Sequence, residues 1–412
     1  MSNATNQIVS CEVCGNDELF PVLDLGKHPM CDDLIEVGSD RVCQEYPIEI
    51  LFCKQCMTAH QKYQVPKHEL FPVTYHYRSR FTADVLNGMK GLVATCEEKF
   101  GSLQGKNVLD IGCNDGSLLD FFREKGAVTI GIEPTGACAD AMAKNHTAYN
   151  DYLSPEVAEK IVKEQGQPDF ITFTNVFAHI ENLHEVLDSL RKLMKETTVI
   201  VIENHYLGAV FQGNQFDTFY HEHPRTYSYH SFVEMAKKLS LEPVLVEFPA
   251  RYGGNIRVCM GRADIYPKIT PSDIDAVIEK EKTFFEHFAT MRANIEKWQK
   301  NKRATLEELV KANGPLAGKA FPGRAAILVK LLNLDTDIIS EVYEKPGSLK
   351  IGYYLPGTRI PIKSDDDMIA KGEKEKPLVN LAWHISKEIQ GYLRGLGHTG
   401  PIVDILSSDD FA

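Results

Sequence analysis

The chain predicts an α/β protein: a doubly wound parallel sheet, a small metal-bearing module ahead of it and a second α/β region behind. Three observations carry this. Apolar strands alternate with helices from residue 105 to about 262, an acid-ended strand runs into a glycine turn at Asn107-Val-Leu-Asp-Ile-Gly-Cys-Asn-Asp-Gly116, and two Cys-x-x-Cys pairs lie near the N-terminus.

At 412 residues the chain is too long for one typical core. The expected division is a metal module over 1–70, a central domain over 71–265 and a C-terminal α/β domain over 266–412. A hydrophobic share of 43% and a charged share of 25% describe a chain that folds and buries cores. A formal charge of −12 argues against a protein whose task is to grip nucleic-acid phosphates. The first residues, Met-Ser-Asn-Ala-Thr-Asn-Gln, lack the cationic and apolar regions of a secretion signal, and no apolar run approaches the roughly 20 residues that span a bilayer. The expectation is a cytoplasmic protein with neither nucleic acid nor membrane as partner.

Ten cysteines are too sparse for a disulfide scaffold. Cys11 and Cys14, with Cys53 and Cys56, form two pairs that each place two thiolates on one turn, so that together they complete a tetrahedral zinc shell. The segment between them is rich in turn residues and too small for a sound core, which metal would replace. Redox chemistry is the rival, weakened because neither pair opens a helix in a thioredoxin-like βαβ pattern. Cys31, Cys43, Cys96, Cys113, Cys138 and Cys259 read as small apolar residues.

A helical stretch to about residue 100 follows Tyr75-His-Tyr77-Arg-Ser-Arg, and strands are then expected at 107–111, 128–132, 169–174, 198–203, 243–248 and 255–260. A parallel sheet binds ligands beyond the carboxyl ends of its strands, so the residues just after each strand are the ones to watch. Gly112 and Gly116 let the backbone turn sharply and approach a ligand. The usual third glycine of a dinucleotide site is missing, and Asp110 and Asp115 would repel a phosphate. S-adenosylmethionine, with its sulfonium and ammonium, suits that acidity better, and its ribose hydroxyls would meet Glu133 at the end of the second strand. Asn114 and Asn175 complete the expected donor set. The competing reading is a strand-turn-helix without ligand.

Past strand 169–174 lies His179, which would sit near the ligand-bearing edge. The densest polar cluster is Phe216-Asp-Thr-Phe-Tyr-His-Glu-His-Pro-Arg-Thr-Tyr227. Tyr220, His221, Glu222 and His223 are consecutive, so only part of the cluster faces one substrate. A general-base site is the leading reading, against a solvated surface cluster and a second metal, for which the HExxH spacing is absent. Residues 272–313 are helical in pattern, with Pro271 before and Gly314-Pro315 after. Segments 325–332, 337–343, 354–362 and 377–383 then read as a further α/β domain.

Taken together, the paired Cys-x-x-Cys module, Tyr-x-Tyr-x-Ser, Asp-Ile-Gly-Cys-Asn-Asp-Gly and Tyr-x-Glu-His resemble the S-adenosylmethionine-dependent sugar C-3-methyltransferases, which act on nucleotide-linked 4-keto-6-deoxyhexoses. The resemblance implies an N-terminal zinc module, a central Rossmann-like methyltransferase domain and a C-terminal α/β domain that closes over the sugar nucleotide. It implies His223 as the base, with Tyr220, Glu222, His179 and one of Tyr75 or Tyr77 around the sugar. The C-terminal region departs from the pattern: Ala320-Phe-Pro-Gly323 stands where a Gly-Tyr-Gly-Ala turn is usual, and Trp383-His384-Ile385 where Trp-Asn-His is. Pro322 lacks the backbone donor a phosphate would use.

The chemistry follows from the ketone: a C-3 hydrogen beside C-4=O is acidic because its loss gives an enolate. The site must offer a base near C-3 and donors near O-4, for which tyrosine hydroxyls or His179 qualify. An O- or N-methyltransferase, a nicotinamide-dependent oxidoreductase and a non-catalytic zinc-containing sugar-nucleotide binder are the alternatives.

Overall fold

The computed structural model describes residues 5–71, 77–267 and 269–411, and within these it omits the side chains of Phe81, Tyr252, Pro271 and Asp273. The chain forms two compact units that interleave along the sequence: one from residues 1–21, 50–212 and 222–285, the other from 22–49, 213–221 and 286–412.

The first unit holds a seven-stranded sheet: β1 (Asn107–Ile111), β2 (Val128–Ile132), β3 (Thr147–Tyr149), β4 (Phe170–Thr174), β5 (Val199–His205), β6 (Glu242–Glu247) and β7 (Asn255–Gly261). Its order is β6-β7-β5-β4-β1-β2-β3, parallel except that β7 runs antiparallel to both β5 and β6. Six of these strands were expected. The seventh, β3, is a three-residue edge strand too short to give an alternation signal. The order in which strands are added reverses between the parallel neighbours β1 and β4, which makes the crevice beyond their carboxyl ends the natural ligand position.

The helix Ala83–Phe100 covers one face of this sheet. Val85, Met89, Leu92, Val93 and Cys96 recur at helical spacing and pack against Val108, Phe122, Phe170, Val201 and Cys259, and Gly101 at φ 90° ends the helix. Burying each large side chain there contributes roughly 1.5–3 kcal/mol.

The cysteine-rich segment is sewn into the same unit by strand pairing. Cys53 ends one strand, a turn through Met57 at φ 53° reverses the chain, and Thr58–Gln61 runs back antiparallel with Cys53 opposite Thr58. On its other edge Thr58–Gln61 takes up Arg225–Thr226, with Arg225 opposite His60.

In the second unit the sheet is wholly parallel, with strands β8 (Leu316–Lys319), β9 (Ile339–Glu344), β10 (Ile362–Ser364), β11 (Leu378–Asn380) and β12 (Ile402–Asp404) in the order β10-β9-β8-β11-β12. The expected helical stretch is two helices, Pro271–Glu281 and Phe284–Asn313, broken at Lys282–Thr283. Pro271 is the first helical residue rather than a flank, where its missing N–H costs nothing. Trp298 of the longer helix is fully buried and donates to Ile405 O at 2.9 Å. Among the described residues no helix is long and apolar enough to cross a membrane.

Candidate active site

The glycine turn after β1 is shaped by protein contacts as much as by any ligand. Gly112 and Gly116 have φ 72° and 75°, and a Cβ would meet Val176 Cγ2 at 2.5 Å in the first case and the His146 ring at 2.8 Å in the second. Glu133, just past β2, is 5% exposed and accepts from Asn114 N at 3.0 Å and from Thr135 N at 2.8 Å. These donors orient the carboxylate while its remaining lone pairs stay available to a diol.

The acidity of this edge is smaller than its carboxyl count suggests. Asp115 is fully buried: Oδ1 accepts from Ser117 N and Oγ at the start of helix Ser117–Glu124, and Oδ2 from Arg80 N. Burial pushes the Asp110 carboxyl up to about 7, with the Glu133 charge adding to the rise and the 2.6 Å bond from Thr172 Oγ1 opposing it.

Asn114, at φ 50°, has a side chain that faces back toward the N-terminal segment. Its Oδ1 accepts from Ser79 N at 3.0 Å and its Nδ2 donates to Tyr77 O at 3.2 Å. Arg78 and Arg80 both reach Asp140, at 2.8 and 3.0 Å. Residues 77–80 are thus latched to the glycine turn, with the Tyr77 side chain 42% exposed. Tyr75 lies outside the described residues.

Asn175 follows β4 at φ 54°, and its Oδ1 accepts from Asn255 Nδ2 at 3.2 Å. The same Asn255 amide donates to Glu203 Oε1, and Glu203 is held by Arg257 at 2.7 Å and Arg251 at 3.1 Å. This buried network escaped the sequence reading because its members are scattered singly along two strands and a turn. Beside it, Thr174 Oγ1 is buried at the carboxyl end of β4 without a partner in the protein. An orphaned hydroxyl at this edge fits a polar ligand there.

The imidazoles converge in the same unit. His223 is 4% exposed, with its ring centroid 4.8 Å from that of His179 and 5.5 Å from that of His205 at the end of β5. His179 Nδ1 lies 2.7 Å from Glu222 O, and because a carbonyl only accepts, Nδ1 carries the hydrogen. That hydrogen is not available to an oxyanion. Burial lowers the His179 pKa to about 4, against the pull of the Glu222 and Asn175 carbonyls, so the ring is neutral. His205 was missed because it stands at a strand end with no motif around it.

The polar cluster divides. Glu222 and His223 belong to the first unit, Tyr220 and His221 to the second. Tyr220 is half-buried. His221 is 3% exposed and donates from Nε2 to Tyr46 O at 3.1 Å, which makes it a core residue.

The four cysteine sulfurs lie within 4.8 Å of one another, Cys11 Sγ 3.4 Å from Cys56 Sγ and Cys14 Sγ 3.6 Å from Cys53 Sγ. A tetrahedral zinc with Zn–S near 2.3 Å sets its sulfurs roughly 3.8 Å apart, so the quartet fits that ion. The other six cysteines are buried, and among the described residues none of them forms a disulfide.

Three family models match the chain in tandem: a zinc binding domain over residues 11–71, a methyltransferase domain over 81–246 and a C-methyltransferase C-terminal domain over 250–402. C-methyltransferase NovU of Streptomyces niveus is 27% identical over 404 residues, which covers 94% of this chain and 93% of that protein. The chain belongs to the S-adenosylmethionine-dependent C-methyltransferases with a zinc-binding module. Other relatives match a shorter stretch of the chain. The ubiquinone biosynthesis O-methyltransferase of Glaesserella parasuis serovar 5 is 29% identical over 120 residues, 27% of this C-methyltransferase and 50% of its own length. Among solved structures, magnesium protoporphyrin IX methyltransferase from Synechocystis PCC 6803 with bound SAM aligns with 43% of this chain and 80% of its own, at 14% identity and a TM-score of 0.33.

Proposed function

We propose that this cytoplasmic C-methyltransferase places a methyl group on C-3 of a nucleotide-linked 4-keto-6-deoxyhexose through an enolate. Modules 1–70, 71–265 and 266–412 would serve as zinc module, donor domain and lid over the sugar nucleotide. The observation that carries the reading is the buried pairing of His223 with a neutral His179 at 4.8 Å, beside the strand ends where a methyl donor would lie. The sugar class rests on the motif resemblance.

Bound S-adenosylmethionine would supply an electrophilic methyl on a sulfonium. Glu133 would hold its ribose hydroxyls, with Asn114, Asn175, Gly112 and Gly116 shaping the turn, and Asp110 and Asp115 acting beneath it. His223 would take the C-3 proton: the C–H bond breaks, its electron pair passes into the enolate and the imidazole becomes cationic. A neutral neighbour matters here. Were His179 charged, the new imidazolium would form beside a like charge. With the His179 Nδ1–H committed to Glu222 O, the donor to the developing O-4 charge falls to a tyrosine, Tyr75, Tyr77 or Tyr220. The sulfonium methyl of a bound donor would serve as the electrophile for C-3, the carbon–sulfur bond electrons returning to sulfur so that the charges of enolate and sulfonium cancel. Cys11, Cys14, Cys53 and Cys56 would hold a structural zinc, remote from the bonds that change.

Incubation with several nucleotide-linked 4-keto-6-deoxyhexoses and S-adenosylmethionine tests this by product mass and carbon NMR. The expected product gains one CH₂ unit on carbon. A methyl found on oxygen, or no product from any ketosugar, overturns the reading.

A further inference from the structure

We infer that Arg225 is a positioning residue that ties the zinc knuckle to the turn bearing His179. The inference rests on the reading of His179 and His223 as groups of the acceptor site. Arg225 is fully buried, two residues beyond His223, and its guanidinium bonds to Glu12 of the knuckle, to the Ile180 and Glu181 carbonyls and to the Tyr227 hydroxyl. Nη1 pairs with Glu12 Oε2 at 2.5 Å, and Glu12 stands between the zinc-binding Cys11 and Cys14. Nη2 donates to Ile180 O and, at 3.4 Å, to Glu181 O. Nε donates at 3.0 Å to Tyr227 Oη, which in turn donates to Phe177 O at 3.4 Å. The guanidinium thus holds both ends of the turn Phe177–His179.

On the other side the knuckle is itself anchored. His60, wholly buried and paired with Arg225 across the strands, sets Nε2 3.3 Å from Cys11 Sγ. Thr58 Oγ1 lies 3.0 Å from Cys56 Sγ and 2.7 Å from Ser231 Oγ, while Ser228 and Ser231 at the start of helix Tyr229–Lys238 both donate to Cys56 O. The metal-binding loops therefore share one continuous hydrogen-bonded frame with the histidine turn. A fork of five fixed donors can brace three carbonyl or hydroxyl oxygens and a carboxylate at once, which a lysine ammonium cannot. Placement of reacting groups is worth this: a shift of about 1 Å can cost on the order of 100-fold in rate.

The test compares Arg225→Met and Arg225→Lys in the zinc-loaded full chain. Zinc content, S-adenosylmethionine affinity by calorimetry, the His179 Nδ1–H signal by NMR of nitrogen-15 histidine-labelled protein, and turnover would be read together. Arg225→Met is expected to keep its zinc and its donor affinity within about twofold, to move or lose the His179 signal, and to lower kcat about 10- to 100-fold. Arg225→Lys, which restores the charge without the fork, should recover only part of the signal and rate. Should Arg225→Met fail to fold, Glu12→Gln weakens the same strut through a half-buried partner and should shift the His179 signal in the same direction. A His179 signal at its wild-type position in either folded variant overturns the inference. The NMR arm needs no acceptor. If the wild-type protein turned over no ketosugar, the base reading would fall while the strut was still decided.

Discussion

Asn114 and Glu133 are joined across the donor edge of the sheet: the Asn114 backbone N–H, aimed by a left-handed turn, donates to Glu133 Oε2 at 3.0 Å. With Thr135 N on the other oxygen, the carboxylate is held where a ribose diol would approach. Glu133→Ala removes that acceptor and leaves one buried and one partly buried N–H group without it, each charge-assisted bond being worth about 1.5–3 kcal/mol. Donor affinity should fall on the order of 10- to 100-fold by calorimetry, and an unchanged affinity would remove Glu133 from the ribose site.

His223→Asn should abolish acceptor methylation while sparing the donor. General-base catalysis contributes about 10²–10⁴-fold, and asparagine has no basic nitrogen to replace it. S-adenosylmethionine affinity should stay within about threefold, because the residues that would bind the donor lie on other strand ends. Near-normal single-turnover rates in this variant would dismiss His223 as the base.

The central sheet was legible because its strands are apolar runs with regular spacing and its ligand edge is marked by acids and glycines. Three things were not. The strand Leu316-Ala-Gly-Lys319, central to the second sheet, carries a glycine and a lysine and looks like a loop. Only the structure shows that Lys319 is buried against Asp365 at 2.6 Å. The pairing of Arg225–Thr226 with Thr58–Gln61 is a long-range contact that no local pattern encodes. The site histidines were half-legible: His223 and His179 stood out by composition, but that His221, two positions before His223, turns into a core was a question of direction that consecutive polar residues cannot answer.

Zinc should be found at about one per chain. Cys53→Ser breaks the quartet at the strand end that feeds the turn to Thr58, so the pairing of Thr58–Gln61 with Ile50–Cys53 loses its clamp. Metal content should drop to near background, and amide exchange over 50–61 should accelerate by about 10-fold or more. A fully protected, metal-free segment would show that the module folds by burial alone.

Ala320 follows β8 at φ 58°, a left-handed conformation that costs a residue with a Cβ roughly 1–2 kcal/mol. Ala320→Gly removes that cost, partly offset by the added freedom of the unfolded chain, about 0.4–1 kcal/mol. A net gain of about 0.5–1 kcal/mol in the stability of the second unit is expected from denaturant unfolding. A loss of stability would mean that the Ala320 methyl packs well enough to outweigh its backbone.

His221 makes the second unit acid-sensitive. Burial lowers its pKa to about 4, opposed by the carbonyl of Tyr46. In the unfolded chain the ring titrates near 6.5, so as pH falls the unfolded form takes up the proton first. The stability that His221 provides is complete above about pH 6.5 and is lost progressively down to about pH 4, on the order of 3 kcal/mol in all. His221→Gln keeps an N–H donor for Tyr46 O and cannot titrate. His384 in the same unit is also lowered by burial, to about 3, so the variant should retain part of the acid dependence rather than none. Between pH 5 and 6 the slope of unfolding free energy against pH should flatten by about 1.4 kcal/mol per pH unit, one proton's worth. An unaltered slope would show that His221 carries its proton in the folded protein as readily as in the unfolded chain.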